Sequence, residues 1–428
     1  MSSDWIERDA RVVWHGFTQM STYAENSPLM IERAEGHYLI DVDGRRYLDA
    51  ISSLWVNTLG HNVEELNDAL RRQLDKFAHS TMLGHGNTVV VELAEALAER
   101  VPIEDPHFLF ASDGAAAVEQ ALKIAFQYWV NRGDTERTTY LALGEGYHGD
   151  TIGGLSLGGG GFGTDIFDPL RFPVVRSPGY DDPDSLKKAA HAIRERGDEL
   201  AAVVIEPLVQ GAAGMRLASA GAFGELQAAC DETGVLLVCD EVATGFGRTE
   251  TLFASEQCGL KPDVMCLGKG ITGGYLPLAA TAASERVYEA FLGEDLGPRT
   301  LYHGHSYSGN ALAAAVALRH LQLLDERDVL DNVRARSAEL RGFLTERIEP
   351  LTAVADARLC GLMGGVELCA SRPAERRGRL VSAACVERGV LVRPLGDVVV
   401  LMPPLTVTAT EIETIVDVLR DGIEETLG

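Results

Sequence analysis

From about residue 88 the chain alternates helical spacing with short, wholly apolar runs, and no other feature restricts its fold so strongly. The spacing predicts helices over 88–100, 115–131 and 220–232, and strands over 107–111, 139–143, 201–205, 235–239 and 263–267. Five-residue apolar runs without polar alternation read as strands buried on both faces. Interleaved with helices, they make a mostly parallel sheet covered by helices, an α/β fold. Ligands of such sheets gather beyond the carboxyl ends of the strands, so the residues just after each run are the first candidates for a site.

Around this core the pattern changes. His37–Leu48 reads as a hairpin turning at Asp43-Gly44, and Val63, Leu66, Leu70 and Leu74 recur at helical spacing within 62–78. A long helical stretch near 308–348 precedes apparent strands at 364–368, 390–393 and 398–402 and a final helix over 408–426. The division expected is a large α/β domain over 61–310 and a smaller α+β domain. Residues 1–60 supply its amino-terminal part, and 311–428 supply a connecting helix and its carboxyl-terminal part.

Composition excludes several classes. The formal charge of −25 repels nucleic acid, and no basic stripe offsets it. No apolar run approaches the length of a membrane span, and the first ten residues lack the pattern of a secretory signal. Seven cysteines without metal spacing suggest reduced, buried thiols in a cytoplasmic protein with no metal site.

The groups after the strands are chemically suggestive. Val235–Cys239 is followed by Asp240, and the run ending at Leu267 by Lys269 among glycines. A lysine able to form a Schiff base and an aspartate able to hold a pyridine nitrogen protonated are the two side chains pyridoxal phosphate needs most. Each has a plainer reading: a helix cap or metal ligand for Asp240, a surface amine for Lys269. Ser112, Asp113, Gly114 and Ala115 lead from a strand into a helix and offer amides to a phosphate, or form an ordinary capped helix start. Tyr147 or His148 could cover a ring face, or be a core aromatic, and Glu206 brings a further carboxylate to the same edge. Glycines 158–163 read as a flexible loop. Arg393, in an apolar run, suits a substrate carboxylate or an internal ion pair. Trp14, Phe17 and Trp55 either wall a long apolar substrate or pack domains together.

The runs Asp240-Glu-Val-Ala-Thr-Gly-Phe-Gly-Arg-Thr249, Gly146-Tyr-His-Gly-Asp-Thr151 and His303-Gly-His-Ser-Tyr-Ser-Gly-Asn310, with Lys269 in its glycine setting, resemble the class III aminotransferases of fold type I. The likeness covers nearly the whole chain. Within the class, Trp14–Met20, Ser52–Asn57 and Gly60-His61 are similar to the biotin-synthesis branch, which aminates 8-amino-7-oxononanoate to 7,8-diaminononanoate. The resemblance implies ping-pong transamination between a small-molecule amino donor and an oxo acid. Lys269 would carry the cofactor, Asp240 would pair with its ring nitrogen, Val242 would lie on one ring face, and Ser112 to Ala115 would hold the phosphate. Tyr147 would pack beside the ring, and Trp55 and Arg393 would bind substrate. Ser306 would reach the phosphate of a neighbouring subunit, making the active unit a homodimer.

Departures from the pattern narrow this. Ala243 matches the biotin branch, whereas many members of the class have Gln there. Glu250 replaces a common Gly, and Gly16 replaces a Pro. Phe17 and Leu54 stand where the S-adenosylmethionine-using form carries Tyr and Trp, and His305 replaces a Pro, a pattern more like the lysine-using variant. Other readings are a class III ω-amino acid or diamine transaminase using pyruvate or 2-oxoglutarate, an intramolecular aminomutase, and a catalytically idle interaction protein.

Overall fold

A computed structural model describes residues 2–26, 28–159, 163–370, 372 and 375–428. Its centre is a seven-stranded sheet. The spatial order is His107–Ala111, Ala279–Ala283, Val264–Leu267, Leu236–Asp240, Leu200–Ile205, Thr139–Leu143 and Val175–Ser177. Six of these strands run parallel, and Ala279–Ala283 alone runs antiparallel to both of its neighbours. Every residue of Leu200–Ile205 and Leu236–Asp240 is buried, as expected for a sheet with helices on both faces.

The helices begin and end where local chemistry dictates. The Asn87 side chain accepts the amide of Val90 to open Thr88–Ala98, and Asp113 accepts the amide of Ala116 to open Gly114–Asn131. Gly234 closes Gly224–Thr233 at φ +75°, a left-handed conformation that costs glycine little. The expected helical stretch near 308–348 is divided. Ala311–Glu326 and Val329–Phe343 meet at Asp328, whose φ is +48°, and a π-helical turn follows over Leu344–Ile348. Neither glycine nor proline marks that break.

Besides a two-stranded pairing of Val209–Gln210 with Arg216–Leu217, two four-stranded sheets accompany the centre. One comprises Ile31–Glu35, Tyr38–Asp41, Arg46–Asp49 and Val390–Leu391, and the other Val354–Cys360, Met363–Leu368, Val398–Leu401 and Arg393–Leu395. The single strand expected over 390–393 is therefore shared between two sheets. Val390–Leu391 pairs parallel with Arg46–Asp49, whereas Arg393–Leu395 pairs antiparallel with Val398–Leu401. The glycine run at 158–163, expected as a loop, includes residues 160–162, which lie outside the described residues. No helix among the described residues is long and apolar enough to cross a membrane.

Candidate active site

Five strands of the central sheet deliver polar or glycine-rich ends to one cavity of about 600 Å³. Asp240 is the last residue of its own strand, Glu206 follows Leu200–Ile205, and Lys269 lies two residues beyond Leu267. Tyr147 and His148 come from the loop after Thr139–Leu143, and Asp113 to Ala115 from the turn after His107–Ala111.

Asp240 is buried and fully engaged. One oxygen lies 2.7 Å from Nδ1 of the buried His148, and the other accepts the amide of Val242 at 3.1 Å. Burial opposes charge on His148, but its hydrogen bond to Asp240 and the nearby carboxylates outweigh that cost and raise its pKa. Glu206 accepts the amides of Tyr147 and Gly211, each at 3.1 Å. Its burial, opposed by His148 and reinforced by the charge of Asp240, lifts its pKa to about 7.

Lys269 opens a short 3-10 turn, Lys269–Thr272, with its backbone at φ +40°. That conformation is uncommon for a non-glycine residue and is held by the packing around it. Its Nζ lies 5.3 Å from the Trp55 ring centroid. Burial lowers the amine pKa, against the opposing pull of Asp240 and Glu206. A lowered pKa increases the neutral, nucleophilic fraction.

The cradle opposite is built for close approach. A Cβ at Gly114 would stand 2.5 Å from Val242 Cγ1, and one at Gly149 would stand 2.4 Å from Ala115 Cβ. The walls thus leave no side chain between the helix start, the Tyr147–Gly149 loop and Val242. Asp113 uses its side chain to cap the helix, so the plainer expectation for that turn is met in this respect. The Tyr147 hydroxyl donates to Asp150 at 3.0 Å.

Phe17, Leu54, Trp55 and Arg393 line the outer part of the same cavity. Arg393 is exposed and makes no ion pair or hydrogen bond among the described residues, so the internal salt bridge considered for it is not present. Trp55 Nε1 is buried without a hydrogen-bond partner. Trp14 departs from the aromatic set expected with Phe17 and Trp55: it is 89% exposed and does not line the cavity. Ser112 is not on the cavity wall either, and Ser306 lies outside it, its carbonyl accepting Nε2 of His79 at 2.6 Å.

The Trp55 wall is strained. Ser52, Ser53 and Trp55 all have positive φ, at 52°, 60° and 66°. Buried Asp49 accepts the amide of Ser53 at 2.8 Å, and buried Arg248 donates to the Ser52 hydroxyl at 2.8 Å and to the Asn57 carbonyl at 2.7 Å. Arg248 also donates to the carbonyl of Pro403. Sequence reading quoted Arg248 within its motif without giving it work; a charged side chain amid Gly245 and Gly247 was the available signal. Asp150, Ala212 and Val400, also on the wall, carried no comparable signal.

These residues suit pyridoxal phosphate. A low-pKa lysine, a buried carboxylate for a ring nitrogen and a side-chain-free turn at a helix start converge on one cavity. The chain matches the aminotransferase class-III family model over residues 20–423. It belongs to the class III aminotransferases, for which pyridoxal phosphate is the cofactor. More particularly, it is 47% identical to the adenosylmethionine-8-amino-7-oxononanoate aminotransferase of Nitratidesulfovibrio vulgaris, with 97% of this chain and 80% of that protein covered. It is 42% identical to the protein of the same name from Aquifex aeolicus, over 97% of this chain and 96% of that one. The crystal structure of the Methanocaldococcus jannaschii enzyme of that name superposes with a TM-score of 0.96 at 38% identity, covering 99% of each chain. An (S)-enantioselective ω-transaminase from Thermomicrobium roseum superposes at 0.93 with 32% identity, covering 100% of this chain and 99% of that one.

Proposed function

We propose that the chain aminates 8-amino-7-oxononanoate to 7,8-diaminononanoate, with lysine as the amino donor, as a cytoplasmic homodimer. The observation that carries this reading is one cavity with Lys269 and Asp240 at its floor and an unpaired Arg393 at its mouth, in a chain closely similar to enzymes named for that oxo acid. Pyridoxal phosphate, when bound, supplies an electrophilic aldehyde and an electron-accepting ring.

This chain's residues do the rest. Asp240, oriented by His148, would hold the proton on the ring nitrogen, and the amides of Gly114 and Ala115 would hold the phosphate. Val242 and Tyr147 confine the ring. Lys269 would hold the cofactor through its amine, and the same amine would take the proton from the substrate Cα and return it. Arg393 grips the substrate carboxylate, and Trp55 and Leu54 cover the apolar chain. Ser306, which does not line this cavity, is assigned to the phosphate of a neighbouring subunit.

The relatives' names point to S-adenosylmethionine as donor. Phe17, which has no hydroxyl to offer, and Leu54, in place of a larger aromatic, favour lysine instead. Purified holoenzyme given 8-amino-7-oxononanoate with lysine, S-adenosylmethionine, glutamate or alanine separately decides the matter. Diaminononanoate formed with lysine alone supports the reading, and product only with S-adenosylmethionine replaces the donor. No product with any donor, but turnover of ω-amines with pyruvate, moves the chain to the ω-transaminases.

A further inference from the structure

Behind the site, away from the cavity, lies a histidine the reaction does not use. His320 is fully buried on the inner face of the helix Ala311–Glu326. Its Nε2 lies 2.6 Å from the Thr58 hydroxyl, and the backbone carbonyl of Ile271 lies beside its ring. Nδ1 is buried without a hydrogen-bond partner among the described residues. Burial lowers the imidazole pKa to about 4, so the ring is neutral through the physiological range and its Nε2 shares one hydrogen bond with the Thr58 hydroxyl.

The ring therefore stands where two walls of the site meet. Ile271 belongs to the turn opened by Lys269, and Thr58 ends the segment that presents Trp55. Three glycines let these segments touch. A Cβ at Gly270 would meet Thr58 Cγ2 at 3.3 Å, one at Gly273 would meet His320 Cδ2 at 3.1 Å, and one at Gly274 would meet the Asn57 amide nitrogen at 3.0 Å. Gly273 and Gly274 have φ of +64° and +85°, which keeps the turn close to Asn57. Thr58 is also tied to a distant segment, its carbonyl accepting the amide of Leu405 at 2.7 Å.

We infer that His320 is a positioning residue: through Thr58 it locks the turn bearing Lys269 against the segment bearing Trp55, and so fixes where the lysine amine stands relative to the substrate wall. Neither segment is relaxed by itself, because Lys269 and Trp55 both hold positive φ. A buried contact joining two such segments keeps them in register without touching substrate.

The inference rests on the transaminase reading, and its test separates the two. Thr58→Val removes the hydroxyl at nearly constant volume, His320→Leu removes the ring nitrogen that meets it, and the double variant removes both. Each single variant should lower kcat about three- to tenfold with KM little changed, the scale of one net buried hydrogen bond. The double variant should lose no more than the worse single, because both break one link. His320→Gln, which keeps an acceptor, should recover part of the loss. In holoenzyme, the pH midpoint of the cofactor absorbance should shift in the single variants, and amide exchange of Ile271 and Gly273 should quicken. Unchanged kcat, midpoint and exchange in Thr58→Val, or losses in the single variants that multiply in the double, would overturn the latch. A wild-type enzyme that transfers no amino group would instead sink the transaminase reading, leaving the exchange result to judge the latch.

Discussion

His148 Nδ1 stands 2.7 Å from Asp240 Oδ2, with both side chains out of solvent. The pair is 92 residues apart in sequence, and both residues line the cavity. Burial opposes charge on His148, and the Asp240 carboxylate beside it restores that charge.

His148→Phe keeps a ring there and removes the donor. A hydrogen bond to a charged group contributes about 1.5–3 kcal/mol. The variant should therefore retain folding but lose roughly 10- to 100-fold in kcat, measured as amine transfer under saturating donor. A kcat within a factor of two of wild type would show that Asp240 needs no orienting partner.

The Arg393 side chain has no partner among the described residues, so its removal should be felt chiefly by the substrate. Arg393→Ala should raise KM for the carboxylate-bearing oxo acid by about 10- to 100-fold, the worth of a charge-assisted contact, with melting temperature unchanged. Arg393→Lys should recover little, because a point charge does not reproduce a planar fork. Equal KM values for substrate and a decarboxylated analogue in the wild type would contradict this assignment.

Glu206 sets a pH dependence with a definite sign. Its pKa rises on folding from 4.5 to about 7, so the folded state binds the proton more tightly than the unfolded chain. The contribution is fully present below pH 4.5 and is lost as pH rises toward 7, a change of about 3 kcal/mol at 1.36 kcal/mol per pKa unit. Urea unfolding of the cofactor-free enzyme at pH 5 and pH 8 should show this loss against Glu206→Gln, which cannot ionise. Parallel stability curves for the two proteins would refute it.

The surface charge makes a fourth prediction. Only six of the 38 basic residues are lysines, against 63 acids. Raising salt from about 0.1 M to 1 M shortens the screening length from about 10 Å to 3 Å and weakens the repulsion of the acidic excess. The melting temperature should rise with KCl over that interval, and a flat or falling curve would mean that Arg–acid pairs dominate instead.

The sheet was legible because its strands are short, unbroken apolar runs, and a chain period survives tertiary context when both faces are buried. The residues just after these runs include Asp240, Glu206 and Lys269, so the sheet rule alone marks them. Ala279–Ala283 escaped notice, since an alanine-rich run has no β-branched bias to mark it. The Ser52–Trp55 bend was invisible for a different reason. It contains no glycine, and its left-handed residues are held by Asp49 and by Arg248, nearly 200 residues away. Likewise, neither the His148–Asp240 pair nor the place of His320 behind Lys269 leaves a local trace, because each is a contact between strangers in sequence.

The parallel pairing of Arg46–Asp49 with Val390–Leu391 has a consequence for the chain as it emerges from the ribosome. The early strand waits about 340 residues for its companion, and Arg393 emerges just after that companion. Lys269 and Asp240 are therefore synthesised well before Arg393, the residue proposed to grip the carboxylate. Under the proposed assignment of Arg393, a nascent polypeptide stopped before this strand would carry Lys269 without the contact that holds an oxo acid, so competence would wait for the strands over 390–401.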